Sequence, residues 1–233
     1  MKYLSDSLIS ASITGFENPT LPFLEKTINL DELFISSPSS THIIPSPNHI
    51  QSRGISKGDL LIVNARLTPT TGDIIYAVAD GTYGVTTFER LASATTKHDH
   101  VFVVGVVQQS VHFFREAHNT SRSISLRDTN LHGLLVEKEH TTVLAKASGD
   151  SMLPYVHSGD LMLIERHLNM EEDDVCVIAL NGDLVLKRVN RQKRLLSSDN
   201  PKYPPHRITN SDNISIEGVV VKIIKIFRSP CFA

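Results

Sequence analysis

Ser56-Lys57-Gly58-Asp59-Leu60-Leu61-Ile62-Val63 returns 101 residues later as His157-Ser158-Gly159-Asp160-Leu161-Met162-Leu163-Ile164. Both stretches read as a Gly-Asp turn running into an apolar strand. The same offset lays Ile28-Asn29-Leu30-Asp31-Glu32-Leu33-Phe34-Ile35 over Thr129-Asn130-Leu131-His132-Gly133-Leu134-Leu135-Val136, and Asp80-Gly81 over Asn181-Gly182. Three blocks in one register point to a tandem duplication. Gly105-Val106-Val107 meets Gly218-Val219-Val220 only at an offset of 113, so the second copy carries about twelve extra residues before its last strand.

Each copy reads as β-structure. Asp80-Gly81 joins Ile74–Ala79 to Thr82–Phe88, and Asn181-Gly182 joins Val175–Leu180 to Asp183–Val189. Asp-Gly and Asn-Gly between β-rich runs signal two-residue hairpins, because a type I′ turn needs positive φ at both central positions. The closing strands are expected at Val101–Phe114 and Ile214–Phe227, and helix is limited to a short turn within Pro22–Phe34. The polar stretch Glu116–Asp128 reads as a connection between the copies.

Composition agrees with a soluble globular protein. Of 233 residues, 40% are hydrophobic, 21% charged and 6% aromatic, and the net charge of −2 gives no overall pull toward nucleic acid or an acidic membrane. No run approaches the roughly 18 apolar residues of a membrane span, and the first residues make a poor signal peptide. Two cysteines, Cys176 and Cys231, make no disulfide framework; Cys176, inside Val175-Cys176-Val177-Ile178, reads as a core thiol. A cytoplasmic location is expected. The eleven histidines show no metal-ligand spacing, so no metal is expected.

Chemistry concentrates in the second copy. Ala147-Ser148-Gly149-Asp150-Ser151-Met152-Leu153-Pro154 offers a serine after a glycine-containing turn, and Lys187 follows about 35 residues later on an apolar strand. A serine hydroxyl needs a base to attack at neutral pH. A lysine serves only when neutral, which requires burial to lower its pKa from about 10.4. Period-2 alternation sets Lys187 beside Val185 and Val189, the face expected to be buried. The plainer alternative is a solvated strand lysine and an ordinary turn serine.

The segment resembles the peptidase domain shared by LexA-type repressors, phage repressors and UmuD, which cleave themselves with a Ser-Lys dyad. Ser197-Ser198-Asp199-Asn200-Pro201 with Tyr203, and Ile216-Glu217-Gly218-Val219-Val220, extend the likeness over nearly all of the second copy. The first copy resembles UmuD in Gly15-Phe16-Glu17-Asn18-Pro19, Ile28-Asn29-Leu30, Gly54–Val63 and Gly72-Asp73-Ile74. Yet Ser151 maps onto Ile50 and Lys187 onto Thr86, so the first copy reads as a degenerate domain without the dyad.

The resemblance implies a mainly β protein of two tandem LexA/UmuD-type, signal-peptidase-like domains forming a pseudo-dimer. Its expected parts are an N-terminal arm (1–14), a degenerate domain (15–117), a linker (118–127) and a Ser-Lys peptidase domain (128–233). It further implies Ser151 as nucleophile, Lys187 as base, backbone N–H groups of Asp150 and Ser151 as oxyanion hole, and Thr14-Gly15 as the cleaved bond. Thr14 departs from the family's Ala or Cys at that position. No cofactor is implied. The implied partners are the RecA–single-stranded-DNA filament and a Y-family, UmuC-like polymerase, in an SOS response to DNA damage with translesion synthesis. The alternative is a non-cleaving module that associates with UmuD- or LexA-type proteins. Lys187, Arg188, Arg191, Lys193 and Arg194 form a basic cluster, read either as a solvated hairpin or as a patch facing DNA or a polymerase.

Overall fold

The computed structural model describes residues 2–3, 29–94, 100–115, 124–125 and 130–229. In chain order the elements are β1 (Lys2–Tyr3), α1 (Leu30–Phe34), β2 (Thr41–Pro45), β3 (Leu60–Asn64), β4 (Ile74–Ala79), β5 (Thr82–Thr87), α2 (Phe88–Ala94), β6 (Val101–Phe113) and β7 (Ile124–Ser125). The series then repeats as α3 (Leu131–Leu135), β8 (Thr142–Lys146), β9 (Leu161–Glu165), β10 (Val175–Leu180), β11 (Asp183–Asn190), β12 (Leu195–Ser197), β13 (His206–Arg207) and β14 (Ile214–Ile226). The protein is mainly β.

The two halves match in backbone geometry. In the first copy β4 pairs with β6, and the register slips by one residue between Tyr76 and Ala77, after Tyr76↔Gly105 and before Ala77↔Val103. In the second, β10 pairs with β14 and slips between Val177 and Ile178, after Val177↔Gly218 and before Ile178↔Ile216. These are corresponding residues under the two offsets, so each copy carries the same β-bulge, a device that bends a strand and re-aims its side chains. The adjacent glycine is required by close packing. A Cβ on Gly105 would stand 2.8 Å from the Asn64 carbonyl oxygen, and one on Gly218 would stand 2.5 Å from Ile164 Cγ2. The hairpin turns are as expected: Asp80 and Gly81 (φ 49° and 79°) and Asn181 and Gly182 (φ 53° and 98°) all lie at positive φ.

The described chain forms two compact units. One gathers residues 2–3, 113–115 and Val136–Ile223; the other gathers Asn29–His112, 124–125, 130–135 and 224–229. Each unit therefore holds the tail of the closing strand of the other copy. Arg115 donates through Nε to Asp174 Oδ1 at 3.0 Å and through Nη2 to Asp174 Oδ2. Arg228, its counterpart at an offset of 113, donates through Nη1 to Asp73 Oδ2 at 2.7 Å. Asp174 and Asp73, themselves 101 residues apart, also cap their own turns by accepting N–H from Glu171 (2.6 Å) and Thr70 (2.7 Å).

The unit carrying Ser151 has a core of Val143, Ala145, Met152, Val156, Met162, Ile164, Val175, Val177, Leu186, Val220 and Ile223. The other packs Ile55, Leu61, Val63, Ile74, Tyr76, Val85 and Val107. Helix goes further than the sequence reading: α2 and α3 join the expected turn at α1. Within the expected linker, β7 pairs with β2 (His42↔Ser125, Ile43↔Ile124), satisfying backbone groups along an open strand edge.

Candidate active site

Ser151 is held by a turn clamped at both ends. The Ala147 N–H donates to the Asp160 carbonyl (2.8 Å), and the Ala147 carbonyl accepts from the Gly159 N–H (2.9 Å). Asp160 Oδ2 in turn accepts the His157 N–H at 2.7 Å. Gly149, at φ +89°, takes a conformation that strains any residue with a Cβ, and the chain reverses there. Leu153 N–H donates to the Asp150 carbonyl and Val156 N–H to the Met152 carbonyl. Met152 and Val156, both buried, anchor the turn in the core. Ser151 is 3% exposed. Among the described residues, nothing accepts from the N–H groups of Asp150 and Ser151, which leaves two backbone donors at the turn.

Lys187 stands on β11 opposite Cys176, with Val185 and Val189 buried on its own face and Leu186 buried on the other. The lysine is half-buried, and this desolvation lowers its pKa below the ordinary lysine value. Nζ donates to Ser198 Oγ at 2.7 Å and lies 5.9 Å from the centroid of the Tyr203 ring.

Residues 198–203 contact both the Ser151 turn and Lys187. Asn200 N–H donates to the Ser151 carbonyl at 3.0 Å, and Asn200 Nδ2 donates to the Asp150 carbonyl at 2.9 Å. The Tyr203 hydroxyl donates to the Asp150 carboxylate, a contact that holds the phenol above its usual pKa. Asp199 accepts both arms of the Arg188 guanidinium, at 2.8 and 2.9 Å, fixing the start of the segment to β11. Within this arrangement Lys187 Nζ is directed to Ser198 Oγ. Ser198 and Asn200 were not singled out as functional by the sequence reading, although the segment holding them was legible as a motif.

In the first half, Ile50 and Thr86 stand at the positions corresponding to Ser151 and Lys187. Ile50 pairs by backbone with Ile55 and packs on that unit's core, and Thr86 lies opposite Ile75 in β5. Asn48, which occupies the position corresponding to Gly149, bridges the loop to the strand. Its Oδ1 accepts the Val85 N–H at 2.9 Å and its Nδ2 donates to the Val85 carbonyl at 3.0 Å. Thr14 and Gly15 lie outside the described residues, as do most of the arm and linker and Cys231.

Other candidates resolve simply. Cys176 is fully buried, and desolvation pushes its thiol up to about 12, which makes it inert at neutral pH. Among the described residues, no group of three His, Cys, Asp or Glu side chains is placed to hold a metal ion, and no helix is long and apolar enough to cross a membrane. The basic cluster divides: Lys187 and Arg188 belong to the site, whereas Arg191, Lys193 and Arg194 are exposed.

A family model covers the region of this site. Residues 102–221, about half of the chain, match the family described as Peptidase S24-like. Over 87 residues the chain is 33% identical to the LexA repressor of Syntrophotalea carbinolica, a match covering 36% of this chain and 43% of the repressor. It is 28% identical over 115 residues to protein ImpA of Escherichia coli, covering 44% of this chain and 79% of ImpA. Protein SamA of Salmonella typhimurium is 29% identical over 104 residues, with 44% and 72% covered. The chain thus spans less than half the length of the LexA repressor it matches, and more than two thirds of ImpA and SamA.

Proposed function

The chain belongs to the Peptidase S24-like family, whose members are self-cleaving serine peptidases, and from that premise we propose that it cleaves itself with Ser151 as nucleophile and Lys187 as base. The observation that carries this reading is the 198–203 segment, which binds the Ser151 turn through Asn200 and Lys187 through Ser198. Desolvation favours the neutral amine a base needs. Lys187 takes the proton of Ser151 as its oxygen attacks the Thr14 carbonyl, and the N–H groups of Asp150 and Ser151 face the resulting oxyanion. Lys187 then delivers the proton to the leaving amine of Gly15, and water hydrolyses the acyl-enzyme.

The two repeats act as a covalent pseudo-dimer with domains at 15–117 and 128–233. Support comes from the exchanged tails: Arg115 completes the turn at Asp174 and Arg228 the turn at Asp73. The first repeat contributes binding surface, since its position 48–50 loop is closed onto β5 by Asn48. In the cell the protein is a cytoplasmic accessory subunit of a Y-family translesion polymerase in the SOS response, its cleavage promoted by the RecA–single-stranded-DNA filament. Intact mass of the full chain with and without that filament tests this. A filament-dependent fragment starting at Gly15, absent from Ser151→Ala, is expected. A chain that stays whole but binds a UmuD- or LexA-type protein would instead establish a non-cleaving module.

A further inference from the structure

The segment that distinguishes the second repeat carries a second candidate site. A cavity of about 500 Å³ is lined by Gln192, Lys193, Arg194, Leu195, Arg207 and Ile208. Its frame is fixed by backbone bonds and one side-chain acceptor: Leu195 pairs with Arg207, Ile208 N–H donates to the Arg194 carbonyl at 2.8 Å, and Lys193 N–H donates to the side-chain Oδ1 of Asn190 at 2.8 Å. Arg194 sits at φ 52° in the turn, with Nη2 on Asn210 Oδ1 at 3.3 Å. Arg191 is exposed beside it, its N–H donating to Glu172 Oε2.

Among the described residues none of Lys193, Arg194 and Arg207 forms an ion pair, so three cations without a carboxylate partner are gathered at one concavity. In a chain with a net charge of −2 this positive charge is local, not a consequence of composition. Two guanidinium forks and an ammonium group around one concavity suit phosphate oxygens. A peptide partner would need a buried apolar or aromatic anchor, and the lining offers only Leu195 and Ile208. Binding to a sugar–phosphate backbone needs only the cations. A single strand can bend into a concavity that the convex ridge of a duplex cannot enter.

We propose that this cavity binds the sugar–phosphate backbone of single-stranded nucleic acid without sequence preference. The site is separate from Ser151 and Lys187 and does not depend on the peptidase reading. Fluorescence anisotropy of a labelled oligothymidylate with the full chain tests it. Three phosphate contacts predict that affinity falls roughly 20-fold between 50 and 200 mM salt. Lys193→Glu with Arg207→Glu should weaken binding at least ten-fold at low salt, while the charge-matched Arg66→Glu with Arg90→Glu should change it less than three-fold. Lys193→Gln with Arg207→Gln provides the same reading should the reversal unfold the protein, with thermal melts confirming the fold. Absence of binding at 50 mM salt, equal loss in both charge-reversed pairs, or displacement by poly-glutamate at matched charge would overturn the assignment, the last in favour of an acidic peptide.

Discussion

In the proposed mechanism, Ser198 sets how Lys187 would work as a base. A hydroxyl accepting from Nζ favours the charged amine, opposing the desolvation that lowers the lysine pKa. Only the neutral fraction is active, so the self-cleavage rate should rise about ten-fold per pH unit at neutral pH and level off at a midpoint below the ordinary lysine value of 10.5. Ser198→Ala should move that midpoint to lower pH and reduce the plateau, because Nζ loses both its acceptor and its placement. A rate–pH profile separates this from general damage, which would lower the plateau and leave the midpoint in place. Lys187→Ala should lower the rate at least 100-fold at every pH. Ser151 and Lys187 were read as a candidate pair from the wider pattern, Ser-Gly-Asp-Ser-Met, the Gly159-Asp160 turn and the hairpin ending in Lys187, which resembles the family's motif. Ser198 was not, since a serine in a polar loop has no signature until the fold brings it to the amine.

Element by element, the hairpin and closing strands were readable and the closing strands came within a residue, β6 and β14 ending at Phe113 and Ile226, one short of expectation, whereas β2, β8, β12 and β13 were not read. The reason is local. Asp80-Gly81 and Asn181-Gly182 specify their turns without help from the rest of the chain, and β-branched runs flank them. The short helices α2 and α3 and the pairing of β7 were not readable, because five- to seven-residue helices and two-residue strands depend on tertiary contacts. Asp31, at α1, accepts N–H from Leu131 (2.7 Å) and His132 (3.0 Å) at the start of α3, a cap supplied from 100 residues away. The bulge glycines make an element-scale prediction. Gly105→Ala forces a Cβ against the Asn64 carbonyl, which cannot rotate away, and should cost about 1–3 kcal/mol. Gly218→Ala forces a Cβ within 2.5 Å of Ile164 Cγ2, a methyl fixed on the branch of a buried, β-branched side chain, and should cost a similar amount. Paired thermal melts measure both losses.

Over the whole molecule, each compact unit is completed by a tail from the other repeat, a feature that a repeat offset alone does not reveal. Arg115→Ala should leave the nearly buried Asp174 without its fork and cost about 2 kcal/mol; Arg228→Ala should act alike on Asp73. A chain carrying a specific protease site between Asn119 and Thr120 should, once cut, elute as one species under native conditions and as two after denaturation. Separation of the halves without denaturant would contradict the pseudo-dimer. The most direct test of the central claim is intact mass of the purified chain after incubation at pH 7.5 and pH 10 without any partner, beside Ser151→Ala. A fragment beginning at Gly15, faster at pH 10 and absent from the variant, is predicted. An uncleaved chain at both pH values, or the same fragment from Ser151→Ala, would contradict it.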